Sequence, residues 1–120
     1  MGASEGMIVG IDIDGTITAF PEFFSIFTKS LRKSGAEIHI ITARAPDQYT
    51  KEELESIDIV YDHLHEWDFD TYEETSSEWK ARVCQENNVT ILFDNDLDIC
   101  ARVQKTNAVV QLSSANSLFF

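Results

Sequence analysis

The chain has 120 residues, 43% of them hydrophobic, and a formal net charge of −12, which suits one domain (1–120) with a working core and is too apolar for disorder. That charge opposes nucleic acid and anionic membrane as partners, and no apolar run approaches the roughly 20 residues that span a bilayer. The N-terminal residues lack the basic segment of a secretory signal, and Cys84 and Cys100 lack metal-site spacing, so a cytoplasmic protein with reduced core thiols is expected.

In chain order, the short β-branched run 7–13, bounded by Gly6 and Gly15, suits a buried strand. Residues 21–34 read as a helix: Pro21 stands near its start, Gly35 follows its end, and Phe23, Phe24, Phe27 and Leu31 share one face. A second strand is expected over 37–42. Thr50 and Glu53 have capping-box spacing for a short helix, and 57–61 is a third strand candidate. Thr75 and Glu78 form another capping box, opening a helix to about residue 86 with Trp79 and Val83 inward. A strand over 90–93, a helix over 97–106 and a strand over 108–112 complete the pattern. Strands alternating with helices predict a Rossmann-like three-layer α/β/α sandwich around a mainly parallel five-stranded sheet. Ligands of such sheets bind beyond the carboxyl ends of the strands, so the strand ends are where chemistry is sought.

The first strand ends in Asp12-Ile13-Asp14-Gly15-Thr16. Strand periodicity puts Asp12 and Asp14 on one side, and two such carboxylates repel unless a cation lies between them or one is protonated. Gly15 permits a sharp turn whose amides can face an anion. The second strand ends at Thr42, whose hydroxyl can donate to a phosphate oxygen or cap a loop. Arg44 follows, suited to bidentate phosphate contact or to a surface ion pair. The fourth strand ends in Asp94-Asn95-Asp96-Leu97-Asp98, an oxygen-rich cluster able to bind a hard divalent ion, with helix capping by Asn95 or Asp96 as the competing role. Lys80, fourteen residues before Asp94, reads by itself as an exposed helix lysine; phosphate chemistry would give it a charge to neutralise. His39 lies within a strand, and His63-x-His65 has no evident third ligand for zinc.

These four clusters, in this order, resemble the motifs of the haloacid dehalogenase superfamily, in its phosphatase branch, over about residues 7–110. The resemblance implies that Asp12 is the nucleophile and forms an aspartyl-phosphate, and that Asp14 is the general acid and base, its proton held near neutral pH by the negative charge around it. It implies that Thr42 and Lys80 hold the phosphoryl oxygens, with Gly15, Thr16 and Arg44 as further substrate contacts. Mg²⁺ would be bound by the Asp12 carboxylate, the Asp14 carbonyl and Asp94. Of the residues after Asp94, Asp98 fits the usual spacing of a second acid, while the choice among Asn95, Asp96 and Asp98 stays open. Only 25 residues separate Thr16 from Thr42 and 37 separate Thr42 from Lys80, so no separate cap domain is expected. An open site suits a large phosphorylated substrate, a small molecule or phosphoprotein, or a homo-oligomer that supplies its own lid.

Two other readings compete. Residues 47–78 hold twelve acids and one lysine, either a solvated face or a docking surface of a non-catalytic binding module. A receiver-type phospho-signalling domain has similar length and would use Asp62 as acceptor, although receivers carry adjacent acids after the first strand and a lysine after the fifth, and neither is present.

Overall fold

The structure, a computed structural model, describes residues 6–68 and 73–113; Asp70 of the acidic stretch lies outside them. Five strands form one parallel sheet in the order β3-β2-β1-β4-β5: β1 (Ile8–Ile11), β2 (Glu37–Thr42), β3 (His63–Glu66), β4 (Ile91–Asp94) and β5 (Ala108–Gln111). Helices α1 (Pro21–Lys33) and α2 (Gln48–Ser56) cover one face, and α3 (Ser76–Glu86) and α4 (Leu97–Val103) cover the other. The chain leaves β1 toward β2 and later returns on the opposite side to place β4, so the topological switch point lies between β1 and β4.

Side-chain alternation along the strands builds the two cores. Val9, Ile11, Ile38 and Ile40 point to the first face, where Phe24 of α1 and Leu54 of α2 close over them. Ile41 and Leu92 point to the second, against Trp79 and Val83 of α3 and Ile99 and Val103 of α4. Each fully buried aliphatic side chain stabilises the fold by about 1.5–3 kcal/mol before entropy is counted. Cys84 and Cys100 are buried in the second layer and unpaired. Burial pushes the Cys84 thiol up to about 12 and the Cys100 thiol up to about 11. At pH 8 their thiolate fractions are then on the order of 10⁻³ or less. Iodoacetamide should leave both thiols unmodified in the native protein and alkylate both in denaturant, as counted by intact mass; rapid native labelling of either would contradict this packing.

Two expectations are corrected. The run 57–61 is not a strand. Ile57 ends α2 and Asp58 is left-handed at φ 61°, because the amides of Asp58 and Ile59 turn back to the carbonyls of Glu55 and Leu54. Ile59 packs into the core without pairing, and β3 begins six residues beyond Ile57, at His63. Helix α2 is capped by Asp47, whose side chain accepts the Tyr49 amide at 3.0 Å, while Thr50 is buried inside the helix. The capping box of Thr75 and Glu78 forms as expected.

At least half of the twelve acids in 47–78 are engaged locally. Asp58 pairs with Lys29, Asp62 with Arg32, Glu53 with Arg44 and Glu74 with Arg82, and Asp47 and Glu78 serve as helix caps. Among the described residues, no helix is long and apolar enough to cross a membrane.

Candidate active site

At the switch point a cleft of about 300 Å³ is lined by Asp12, Asp14, Arg44, Lys80, Asp94 and Asn95, with Ser76 and Asp96 at one side. Asp12 follows β1 directly, and its amide donates to the Phe93 carbonyl at 2.9 Å, extending the ladder that joins β1 to β4. This bond fixes Asp12 against Asp94 at the end of β4. Lys80 reaches both from α3: its ammonium donates to Asp12 Oδ1 at 2.6 Å and to Asp94 Oδ2 at 2.9 Å. Lys80 is therefore not the exposed helix lysine its sequence context suggests, since only 1% of its surface is accessible.

Two carboxylates and one ammonium, all buried, leave a net negative charge in the protein interior. Burial pushes Asp12 up to about 6; the Lys80 ammonium opposes this and the Asp94 charge adds to it. Burial alone would lower Lys80, but Asp12 and Asp94 override it and hold the ammonium above its ordinary range. A cluster that stays negative at neutral pH while buried is suited to receive a cation.

Asn95 tests whether the residues fit Mg²⁺. One atom of its side-chain amide lies 3.0 Å from Asp12 Oδ2 and 2.9 Å from the Asp14 carbonyl oxygen, both of them acceptors. With its NH₂ turned inward, Asn95 donates to both and closes the cluster by itself. With its oxygen turned inward, Asn95 instead adds a third oxygen beside Asp12 Oδ2 and the Asp14 carbonyl, a set suited to a cation, with the Thr16 hydroxyl donating to Asp12 Oδ2 at 3.2 Å. A spacing of about 3 Å is also the octahedral edge for Mg–O bonds of about 2.1 Å. The donor set fits, and Gly15 keeps it open: a Cβ there would fall 2.3 Å from the Asn95 amide nitrogen, and its φ of 80° disfavours a side chain in any case. Gly15→Ala should weaken Mg²⁺ binding by at least about tenfold, read by calorimetry; unchanged affinity would remove Asn95 from the cation cluster.

Several expected site residues are placed differently. Both Asp94 oxygens are engaged, one by Lys80 and the other by the Asp96 amide at 2.9 Å, so Asp94 anchors the lysine while each oxygen keeps a second lone pair for a cation. Asp98 is outside this cleft. It lines a neighbouring depression with Ser77, Arg102 and Lys105, and Asp96 caps α4 through the amides of Asp98 and Ile99. Thr16 is fully buried and donates to Asp12 Oδ2 at 3.2 Å, so it positions the carboxylate and does not line the cleft. The Gly15 amide donates to Thr18 Oγ1 at 2.9 Å, so it is not free for an anion. Thr42 is buried at the end of β2 and accepts the Arg44 amide at 3.2 Å, which leaves its own proton to donate.

Asp14 departs most from expectation. Its side chain is 64% exposed and bound in bidentate fashion by Arg44, Nε to Oδ2 at 2.9 Å and Nη2 to Oδ1 at 2.7 Å. The Arg44 hydrogen bonds hold its carboxyl below the usual carboxylate range, so in this arrangement it carries no proton at neutral pH. Arg44 is anchored from the other side by Glu53 at 2.6 Å.

The other acceptor candidate fails on position. Asp62 precedes β3, accepts the Ile38 amide at 2.7 Å and sits at the amino ends of the strands. It is at the wrong end of the sheet for a receiver acceptor. The histidines also differ from expectation. The register His39↔His63 brings Glu37 and His39 beside His63, a group of three possible metal ligands that was not evident in sequence and does not include His65.

No family model matches the chain, and no curated protein matches it. Solved structures do. A chain of the Pnkp1/Rnl/Hen1 complex superposes with a TM-score of 0.70 at 18% identity, over 93% of this chain and 47% of that one. A chain of the Pnkp1/Rnl/Hen1 RNA repair complex gives 0.73 at 16% identity, over 95% and 44%. A universal stress protein in complex with cAMP gives 0.54 at 12%, over 89% and 96%. The chain thus spans less than half the length of the two repair-complex chains, and at these identities the likeness is one of fold.

Proposed function

We propose that this chain is a Mg²⁺-dependent phosphohydrolase that cleaves phosphomonoesters through an aspartyl-phosphate at Asp12. The observation that carries the reading is the buried Asp12–Lys80–Asp94 triad at the switch point, with the Asp14 carbonyl and the Asn95 amide beside it. This matches the motif order that resembles the haloacid dehalogenase phosphatases, with Asn95 taking a place expected of an acid.

In the proposed reaction an Asp12 carboxylate oxygen attacks phosphorus, the bond to the leaving oxygen breaks, and that oxygen takes a proton from Asp14. Water then attacks the acyl-phosphate, Asp14 accepts its proton, and phosphate leaves with Asp12 restored as carboxylate. Asp12, Asp94 and the Asp14 carbonyl, joined by Asn95 when its oxygen turns inward, would hold Mg²⁺, which would supply the positive charge that screens the repulsion between carboxylate and phosphate. Lys80 stays paired with Asp94 when Asp12 loses its charge to phosphorus, so its ammonium remains available to the phosphoryl oxygens. Thr42 donates to one of these oxygens. Asp14 must first leave Arg44. A phosphate dianion in the cleft competes for the same guanidinium and releases the Asp14 carboxyl, whose pKa then rises toward the value an acid catalyst needs.

The non-catalytic binding reading is disfavoured by the local pairing of the acids in 47–78 and by the assembled triad. The buried free thiols support a reducing compartment, which we take to be the cytoplasm. The test is turnover of p-nitrophenyl phosphate and of a panel of nucleotides, sugar phosphates, phosphopeptides and phosphorylated RNA ends, the last included because two structural neighbours belong to an RNA repair complex. Activity should appear with Mg²⁺ and vanish with EDTA, and the net charge of −12 should disfavour the RNA ends. No turnover of any ester with Mg²⁺ present would overturn the proposal.

A further inference from the structure

We propose that Glu37, His39 and His63 form a second metal site, separate from the Asp12 cleft, that takes a zinc-class transition-metal ion. Because β2 and β3 are parallel with His39 opposite His63, and side chains alternate along each strand, these three residues share one face near the amino ends of the strands. Thr42, which marks the cleft end of β2, is five residues and roughly 16 Å from Glu37. One ligand atom from each of the three lies within 4.8 Å of the others.

Two of the donor spacings bracket that of a tetrahedral ion. His39 Nε2 is 2.5 Å from Glu37 Oε2, and His63 Nε2 is 4.0 Å from the same oxygen. Donors on a tetrahedral ion with bonds of about 2.0–2.1 Å stand about 3.3 Å apart. The two observed spacings straddle that value, and a shift of the Glu37 carboxylate by under about 1 Å equalises them. Glu37 and His63 are about half exposed and free to make it, while His39, 3% exposed, is held by the fold.

The surroundings of His39 resemble the support a ligating imidazole receives. Its other nitrogen, Nδ1, lies 2.8 Å from His65 Nε2, and the two rings are nearly parallel with centroids 5.1 Å apart. That contact fixes the ring and aims Nε2 at Glu37, the role an outer hydrogen bond plays for a metal-bound histidine. Two imidazoles and one carboxylate select a borderline ion such as Zn²⁺ over Mg²⁺, which prefers oxygen alone. Three protein ligands leave a fourth position for water or for a ligand from solvent.

The test uses metal-stripped full-length protein, with Zn²⁺ or Co²⁺ as the probe. With Mg²⁺ in excess to occupy the Asp12 cleft, calorimetry should give one Zn²⁺ per chain, and Co²⁺ should give the intense visible bands of a tetrahedral site without thiolate charge transfer. His63→Ala and Glu37→Gln, both at exposed positions, should each lose at least about tenfold in Zn²⁺ affinity. Asp12→Asn should bind Zn²⁺ as wild type does, so the result is independent of the phosphohydrolase reading. Absence of stoichiometric binding in wild type, equal affinity in His63→Ala and Glu37→Gln, loss of binding in Asp12→Asn, or thiolate bands with Co²⁺ would each overturn the site.

Discussion

Asp12→Asn is expected to reduce turnover of an aryl phosphate by about 10³-fold or more, because an amide cannot form the acyl-phosphate. The same substitution should leave the fold intact, with a urea midpoint no lower than wild type at pH 7.5. The reason is electrostatic. In wild type, Asp12 and Asp94 share one ammonium, and burial, with the Asp94 charge adding to it, raises Asp12 to a pKa of about 6 against an ordinary 3.8. The amide removes one of the two carboxylates and leaves Lys80 and Asp94 as a neutral pair. Activity and stability therefore move in different directions, which separates a nucleophile from a merely structural acid. Steady-state rates and urea denaturation on the same preparation decide it. Retention of more than a few per cent of the wild-type rate would remove Asp12 from the nucleophile's role.

The site was readable in sequence to the extent that strand ends and turn chemistry determine it. Asp12, Asp14 and Gly15 lie where a short β-branched run meets a tight turn, and Thr42 closes a strand whose limits match those expected. What was not readable depended on where side chains go once the layers pack. Lys80 looked like a surface lysine because a charged residue on an amphipathic helix is exposed by default, whereas it shares the buried face of α3 with Trp79, Val83 and Cys84. The sequence leaves the capping role open between Asn95 and Asp96; Asp96 does the capping, which leaves the Asn95 amide to face Asp12. Arg44 takes Asp14 out of the protonated state expected of it, through a contact thirty residues apart in sequence that no local pattern encodes. The third strand was misplaced because the β-branched residues of 57–61 serve core packing after α2 without joining a ladder. That error also concealed the histidine cluster, since only the register of His39 with His63 brings its members together.

Lys80→Met is expected to have the largest effect on stability, and one that depends on pH. Methionine keeps most of the volume, so the packing loss is small. What is lost is the one ammonium that compensates Asp12 and Asp94, which are 8% and 0% exposed in their side chains. Breaking a buried charge pair on one side costs about 3–5 kcal/mol, because the remaining charge stays desolvated. The sign with pH follows from the carboxylates. Asp12 already has a folded pKa of about 6, above the 3.8 of an exposed aspartate, so the folded state binds more protons than the unfolded one across that interval and its stability falls as pH rises through it. Removing the ammonium takes away an influence that lowers this pKa, so the folded value climbs further and the fall becomes steeper and extends to higher pH. Urea denaturation at about pH 5 and about pH 8 should therefore show a small deficit for Lys80→Met at the acidic value and most of the 3–5 kcal/mol at the basic one. Equal deficits at the two pH values, or a deficit under about 1 kcal/mol at pH 8, the size of an exposed ion pair, would mean that Lys80 does not compensate a buried carboxylate cluster.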